Sequence, residues 1–117
     1  MKHYPEQYRF DLIVEYEQIP VRGNAMASGD DAADKAYEDE IIERLERGDV
    51  WAWAAVEVRC THIPSGIHAS DYLGGCSYRD EEDFKANGDY ESMREDAYDE
   101  CRAEIKRIKA AIDKAGV

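Results

Sequence analysis

The sequence predicts one α+β domain over residues 1–117. It is expected to be a two-layer fold, with a three-stranded, mainly antiparallel sheet and two amphipathic helices on one face, in β-α-β-β-α order with a short extra helix before the last. Three observations carry that expectation. Two stretches alternate apolar and polar residues, two others repeat apolar residues every three or four positions, and turns bearing Gly or Pro separate them. With 117 residues the chain can bury one core but has no room for a second ordinary domain.

Tyr8 to Glu17 alternates, with Tyr8, Phe10, Leu12, Val14 and Tyr16 on one face and charged residues prominent on the other. Pro20 and Gly23-Asn24 then break regular structure, and Ser28 with Asp31 three residues later gives a helix start of the capping-box kind. Ala33, Tyr37, Ile41 and Leu45 follow at four-residue spacing, and Arg44, Arg47 and Gly48 close the helix in the order its dipole favours. The central strand is predicted over Val50 to Cys60. Its small face holds Val50, Ala52, Ala54, Val56 and Val58, and its other face holds Trp51 and Trp53 followed by Glu57 and Arg59. Pro64-Ser65-Gly66 turns the chain into a returning strand over Ile67 to Tyr78, where Gly74-Gly75 suggests a bulge or an early end to pairing. Asp80 caps a short helix over Glu81 to Ala86. Asp89 is expected to cap the last helix, whose stripe runs Tyr90, Met93, Ala97, Cys101, Ile105, Ile108 and Ile112 up to Gly116.

The net charge of −12 is distributed unevenly. Residues 30–49 hold nine acids against three bases and residues 80–104 eleven against three, whereas residues 50–79 are neutral and residues 105–117 carry +3. Such a field repels nucleic acid and anionic membrane, so neither is expected as a direct partner, and it favours a basic protein or ribonucleoprotein. Three cysteines leave an odd thiol, which suits a reducing compartment. The N-terminus lacks the apolar core of a signal peptide and no apolar run reaches membrane-spanning length, so a cytoplasmic setting is expected.

Seven acids mark the last helix: Asp89, Glu91, Glu95, Asp96, Asp99, Glu100 and Glu104. At about 1.5 Å rise per residue they place roughly one charge every 3 Å, near the ~3.4 Å axial spacing of phosphates on one DNA strand. From charge alone the more ordinary reading of this pattern is a solvated face that keeps a protein dissolved. Trp51 and Trp53 are either core or, with Tyr72, Cys76 and Tyr78, part of an aromatic contact face. Cys60, His62, His68 and Cys76 are zinc-ligand types without the paired knuckle spacing, and Cys76 with His68 and Asp71 lacks any local signature of a nucleophile. No phosphate-binding glycine loop is present. The expectation is therefore a protein that is not an enzyme and takes no metal or cofactor.

The segment Val50–Val58, then Asp71-Tyr72-Leu73-Gly74-Gly75-Cys76-Ser77-Tyr78, then Asp83-Phe84 and Tyr90, resembles uncharacterised small acidic proteins of tailed phages and prophages. The likeness spans about the C-terminal two thirds of the chain. It implies membership of a class that includes anti-CRISPR and anti-restriction inhibitors, which offer carboxylates to the basic grooves of host nucleic-acid-handling complexes. On that reading Glu91, Glu95, Asp96, Asp99 and Glu100 supply the field, and Trp51, Trp53, Tyr72 and Tyr78 an apolar anchor, in the host cytoplasm. The alternative is an accessory or structural phage protein that self-associates, as a homodimer for instance, or docks through the aromatic face.

Overall fold

The structure is a computed structural model, which describes residues 2–116. Strand β1 (Tyr8–Tyr16) leads to helix α1 (Asp31–Glu46), a single 3₁₀ turn (Val50–Ala52), strands β2 (Ala54–His62) and β3 (His68–Cys76), and helices α2 (Glu81–Ala86) and α3 (Gly88–Ala115). The three strands form an antiparallel sheet in the order β1-β2-β3. The predicted α+β class and its β-α-β-β-α order are the observed ones.

Two caps and one strand start differ from expectation. Asp30, not Ser28, caps α1, its carboxylate accepting from the backbone N–H groups of Ala32 and Ala33 at 3.1 Å. The Ser28 hydroxyl instead donates to Asp34 at 2.6 Å, bracing the approach to the helix. Asn87 takes the place expected of Asp89 at α3, accepting from the Asp89 N–H at 3.1 Å. The tryptophan stretch is not strand. Asp49 accepts from the Trp51 N–H through its carboxylate and from the Ala52 N–H through its carbonyl, both at 3.1 Å. Arg44 clamps the same carboxylate at 2.8 Å. A side-chain cap of this kind outcompetes the β preference of Val-Trp-Ala-Trp, so β2 begins only at Ala54.

The chain divides into two compact units, and each strand contributes residues to both. The first comprises residues 1–13, 57–72 and 87–117. Its core joins Cys60 of β2 to Ala97 and Cys101 of α3, with Tyr8, Phe10, Ala69, Tyr98 and Ile105 packed around them. Tyr4, Tyr8, Phe10 and Tyr98 form a chain of tilted and edge-on rings with centroids 4.7–4.9 Å apart, the geometry that ring quadrupoles favour.

The second unit comprises residues 14–56 and 73–86. There α1 packs Ile41 against Val21, Ala52 and Trp53, with Tyr37, Ile42 and Leu45 alongside. Glu38 is 8% exposed and accepts from the Gly23 N–H at 2.7 Å and from Arg22 at 3.3 Å, so a buried carboxylate ties the loop after β1 to the helix. The glycine pair of β3 has a specific use. Glu17 accepts from the Gly75 N–H at 2.7 Å, and a Cβ on Gly74 would meet the same carboxylate at 2.7 Å, so a side chain at 74 would push Glu17 from this position. Gly75 also holds a left-handed φ of +60°. The strand nevertheless runs through both glycines to Cys76.

Candidate partner-binding surface

Helix α3 decides where the predicted acids point. Met93, Ala97 and Cys101 turn inward at four-residue spacing and are buried. Geometry then places positions 95, 96, 99 and 100 outward, and Glu95, Asp96, Asp99 and Glu100 are all exposed. Glu91 departs from the prediction. It is half-buried and bound to Arg94 at 2.7 Å, while the Arg94 guanidinium lies over the rings of Phe10, Tyr4 and Tyr90 at 4.8, 5.0 and 5.6 Å. Glu91 thus balances a cation enclosed by aromatic rings and offers little charge to a partner.

The four outward acids are not equivalent. Glu95 meets Lys2 at 3.5 Å in a half-exposed pair of the kind that contributes only about 0.2–1 kcal/mol and is readily exchanged. Asp96 faces Asp71 of β3 closely enough to act on its carboxyl. Burial, then the negative charge and hydrogen bond of Asp96, push the Asp71 carboxyl above its ordinary range, against the backbone N–H of Tyr72. Asp99 and Glu100 make no ion pair among the described residues. Beyond them, Glu104 is taken up by Arg107.

The aromatic anchor is not assembled as predicted. Trp53 is 4% exposed, and its indole N–H donates to the Ile19 carbonyl at 2.6 Å, so it belongs to the core. Trp51 is half-buried and packs on Phe84 and Tyr78, with centroids at 5.3 and 6.3 Å, and Tyr78 meets Phe84 at 5.1 Å. Phe84 itself is fully buried, so this trio closes a local core around the α2 segment. Arg44 reinforces it by donating to the Tyr78 carbonyl at 2.6 Å. Of the four predicted rings only Tyr72 stands free in solvent, at 70% exposure.

The Cys/His group does not converge either. Cys60 and Cys101 are fully buried neighbours, and burial followed by the Cys101 thiol pushes the Cys60 thiol up to about 12. His62 shares a hydrogen bond with Ser65 at 2.7 Å and packs on Tyr8. His68 is exposed, and the Cys76 thiol donates to the Ala54 carbonyl at 3.3 Å. Among the described residues no three His, Cys, Asp or Glu side chains are grouped to hold a metal ion. On β2 and β3, Glu57 accepts from Ser70 at 2.6 Å and from Arg59 at 3.0 Å, bonds that hold its carboxyl below the usual range despite partial burial. No described helix is long and apolar enough to cross a membrane.

No family model matches this chain, and no curated protein or solved structure matches it. Sequence reasoning missed Tyr4 and Asp71 as neighbours of the acid face, and Arg94 as a cation enclosed by rings. The signal for Arg94 was available, since an arginine one residue after the inward Met93 borders the apolar stripe.

Proposed function

We propose that this protein is a non-catalytic inhibitor of the phage type, which lays the outward carboxylates of α3 on a basic, nucleic-acid-binding surface of a host defence complex. The observation that supports the reading is the single-sided exposure of Glu95, Asp96, Asp99 and Glu100 on a helix pinned from behind by Met93, Ala97 and Cys101. A rigid display of charge loses little conformational freedom on binding, and mutual attraction with a cationic groove accelerates encounter. Asp99 and Glu100 carry most of this role, with Glu95 released from Lys2 on contact. Docking through an aromatic sheet face is the weaker reading, because Trp53 is committed to the core and Trp51 and Tyr78 to Phe84.

The test is purification of a tagged chain from a bacterial host expressing its defence complexes, at low and high salt, beside the triple variant Glu95→Lys, Asp99→Lys, Glu100→Lys. The expected result is one basic complex retained at low salt, lost at high salt and lost from the folded triple variant. Equal retention by wild type and triple variant would remove the charge mechanism.

A further inference from the structure

The bases of this chain are distributed as unevenly as its acids. Of fifteen lysines and arginines, eleven pair with a carboxylate: Lys2, Arg9, Arg22, Lys35, Arg44, Arg47, Arg59, Arg79, Lys85, Arg94 and Arg107. With twenty-seven acids present, pairing is the ordinary fate of a cation here. The other four are Arg102, Lys106, Lys109 and Lys114, and among the described residues none of them makes an ion pair. All four lie within one stretch of α3, and three of them line a single hollow together with Tyr8 and Ile105.

That hollow has a volume of about 260 Å³, and its walls belong entirely to the first unit. Positions 102, 105, 106 and 109 follow the i, i+3, i+4, i+7 rule and share one helix face, so the three cations are neighbours that repel one another. The apolar side is firmly held. The Tyr8 ring sits between Tyr98 at 4.9 Å and His62 at 5.2 Å, and Ile105 is part of the packed core. Arg102 is steadied by the Tyr98 ring, 5.6 Å from its guanidinium carbon. Arg107 takes up Glu104, the acid nearest in sequence, which removes a competitor for the cations.

We propose that this hollow binds a small organic phosphate, a dianion attached to a flat or apolar body. Three unpaired cations exceed what a monoanion needs and suit a phosphomonoester, with the Arg102 fork able to engage two oxygens and the lysines acting as point charges. Tyr8 and Ile105 supply the surface for the organic part. The volume lies just under the usual range for ligand pockets, which limits the body to about one ring. The site is separate from the acid face, and binding here does not depend on the inhibitor reading.

The experiment is a titration of the purified full chain, followed by ¹H–¹⁵N NMR at low salt, with phenyl phosphate, inorganic phosphate and benzyl alcohol as probes. Phenyl phosphate is expected to shift the amides of Tyr8 and residues 102–109 saturably, to bind about tenfold more tightly than inorganic phosphate, and to leave Lys114 unmoved. Benzyl alcohol is expected to give no saturable shift. Arg102→Gln with Lys106→Gln should weaken phenyl phosphate about tenfold while the remaining spectrum is preserved. Lys109→Gln alone gives a smaller loss and serves as the second variant if the double one is perturbed. Absence of saturable shifts, or unchanged binding by either variant, would overturn the site. Equal affinity for inorganic phosphate would overturn the organic half of the assignment.

Discussion

The two halves of α3 obey different physics along one continuous helix. Up to Cys101 the helix is held by packing, with Met93, Ala97 and Cys101 buried and its acids turned outward. Beyond Ile105 the apolar stripe continues in sequence but loses its cover, so Ile108 is half-buried and Ile112 is 46% exposed. Charge changes sign at the same place. A periodic stripe therefore reports the capacity to be buried, and only tertiary structure decides how much of that capacity is used.

The sharpest way to break this contrast is a pair of truncations. Met93→Ala should cost about 2–5 kcal/mol in urea unfolding, and Ile112→Ala should stay within about 0.5 kcal/mol. Comparable losses would mean that the C-terminal half is packed as tightly as the first. Next in size are the two arginines that pair at i,i+3 with glutamates. Arg94→Gln should cost about 1–3 kcal/mol because its side chain is only 16% exposed and lies among aromatic rings, whereas Arg107→Gln, at an exposed arginine, should be nearly neutral.

A smaller effect concerns Asp71, whose carboxyl is raised by burial and by Asp96. Since the native state holds this proton more tightly than the unfolded chain, wild-type stability falls as pH rises from the ordinary Asp range through the raised native value. Asp71→Asn removes that dependence, so its advantage over wild type should grow across this window and level off above it, measured as unfolding free energy against pH. A constant difference would contradict the assignment. Smallest of all, reversing Glu95, Asp99 and Glu100 to lysine turns the like-charge pairs Glu91/Glu95, Asp96/Glu100 and Glu100/Glu104 at i,i+4 into opposite-charge pairs worth about 0.2–0.5 kcal/mol each, while positions 95 and 99 stay alike in charge. The variant should melt at or slightly above the wild-type temperature at low salt. A marked fall would show that these side chains support the fold.

Where backbone and pattern agree, the sequence was legible. The alternation of Tyr8 to Tyr16, the short helix over Glu81–Ala86 and the closing glycine at 116 all stand where periodicity and caps place them. The failures share a cause. Val50 to Trp53 alternates as a strand should, yet one Asp49 carboxylate, itself fixed by Arg44, redirects it into a 3₁₀ turn. Likewise Trp53 was read beside Trp51 because alternation puts both on one face, while the turn sends them to separate clusters. The outward direction of Glu95, Asp96, Asp99 and Glu100 followed from the helical period. The pairing of Glu91 with Arg94, three residues on, lay within reach of the same helical period, whereas the approach of Asp96 to Asp71 joins positions distant in sequence that no local pattern reveals.

The account rests on carboxylates of α3 meeting a cationic partner, and carbodiimide labelling of the purified complex, read by peptide mass spectrometry, tests this most directly. Glu95, Asp96, Asp99 and Glu100 should be labelled in the free chain and protected in the complex, with exposed α1 acids such as Glu40 and Glu46 labelled in both. Protection of the α1 acids with continued labelling of the α3 set would contradict it.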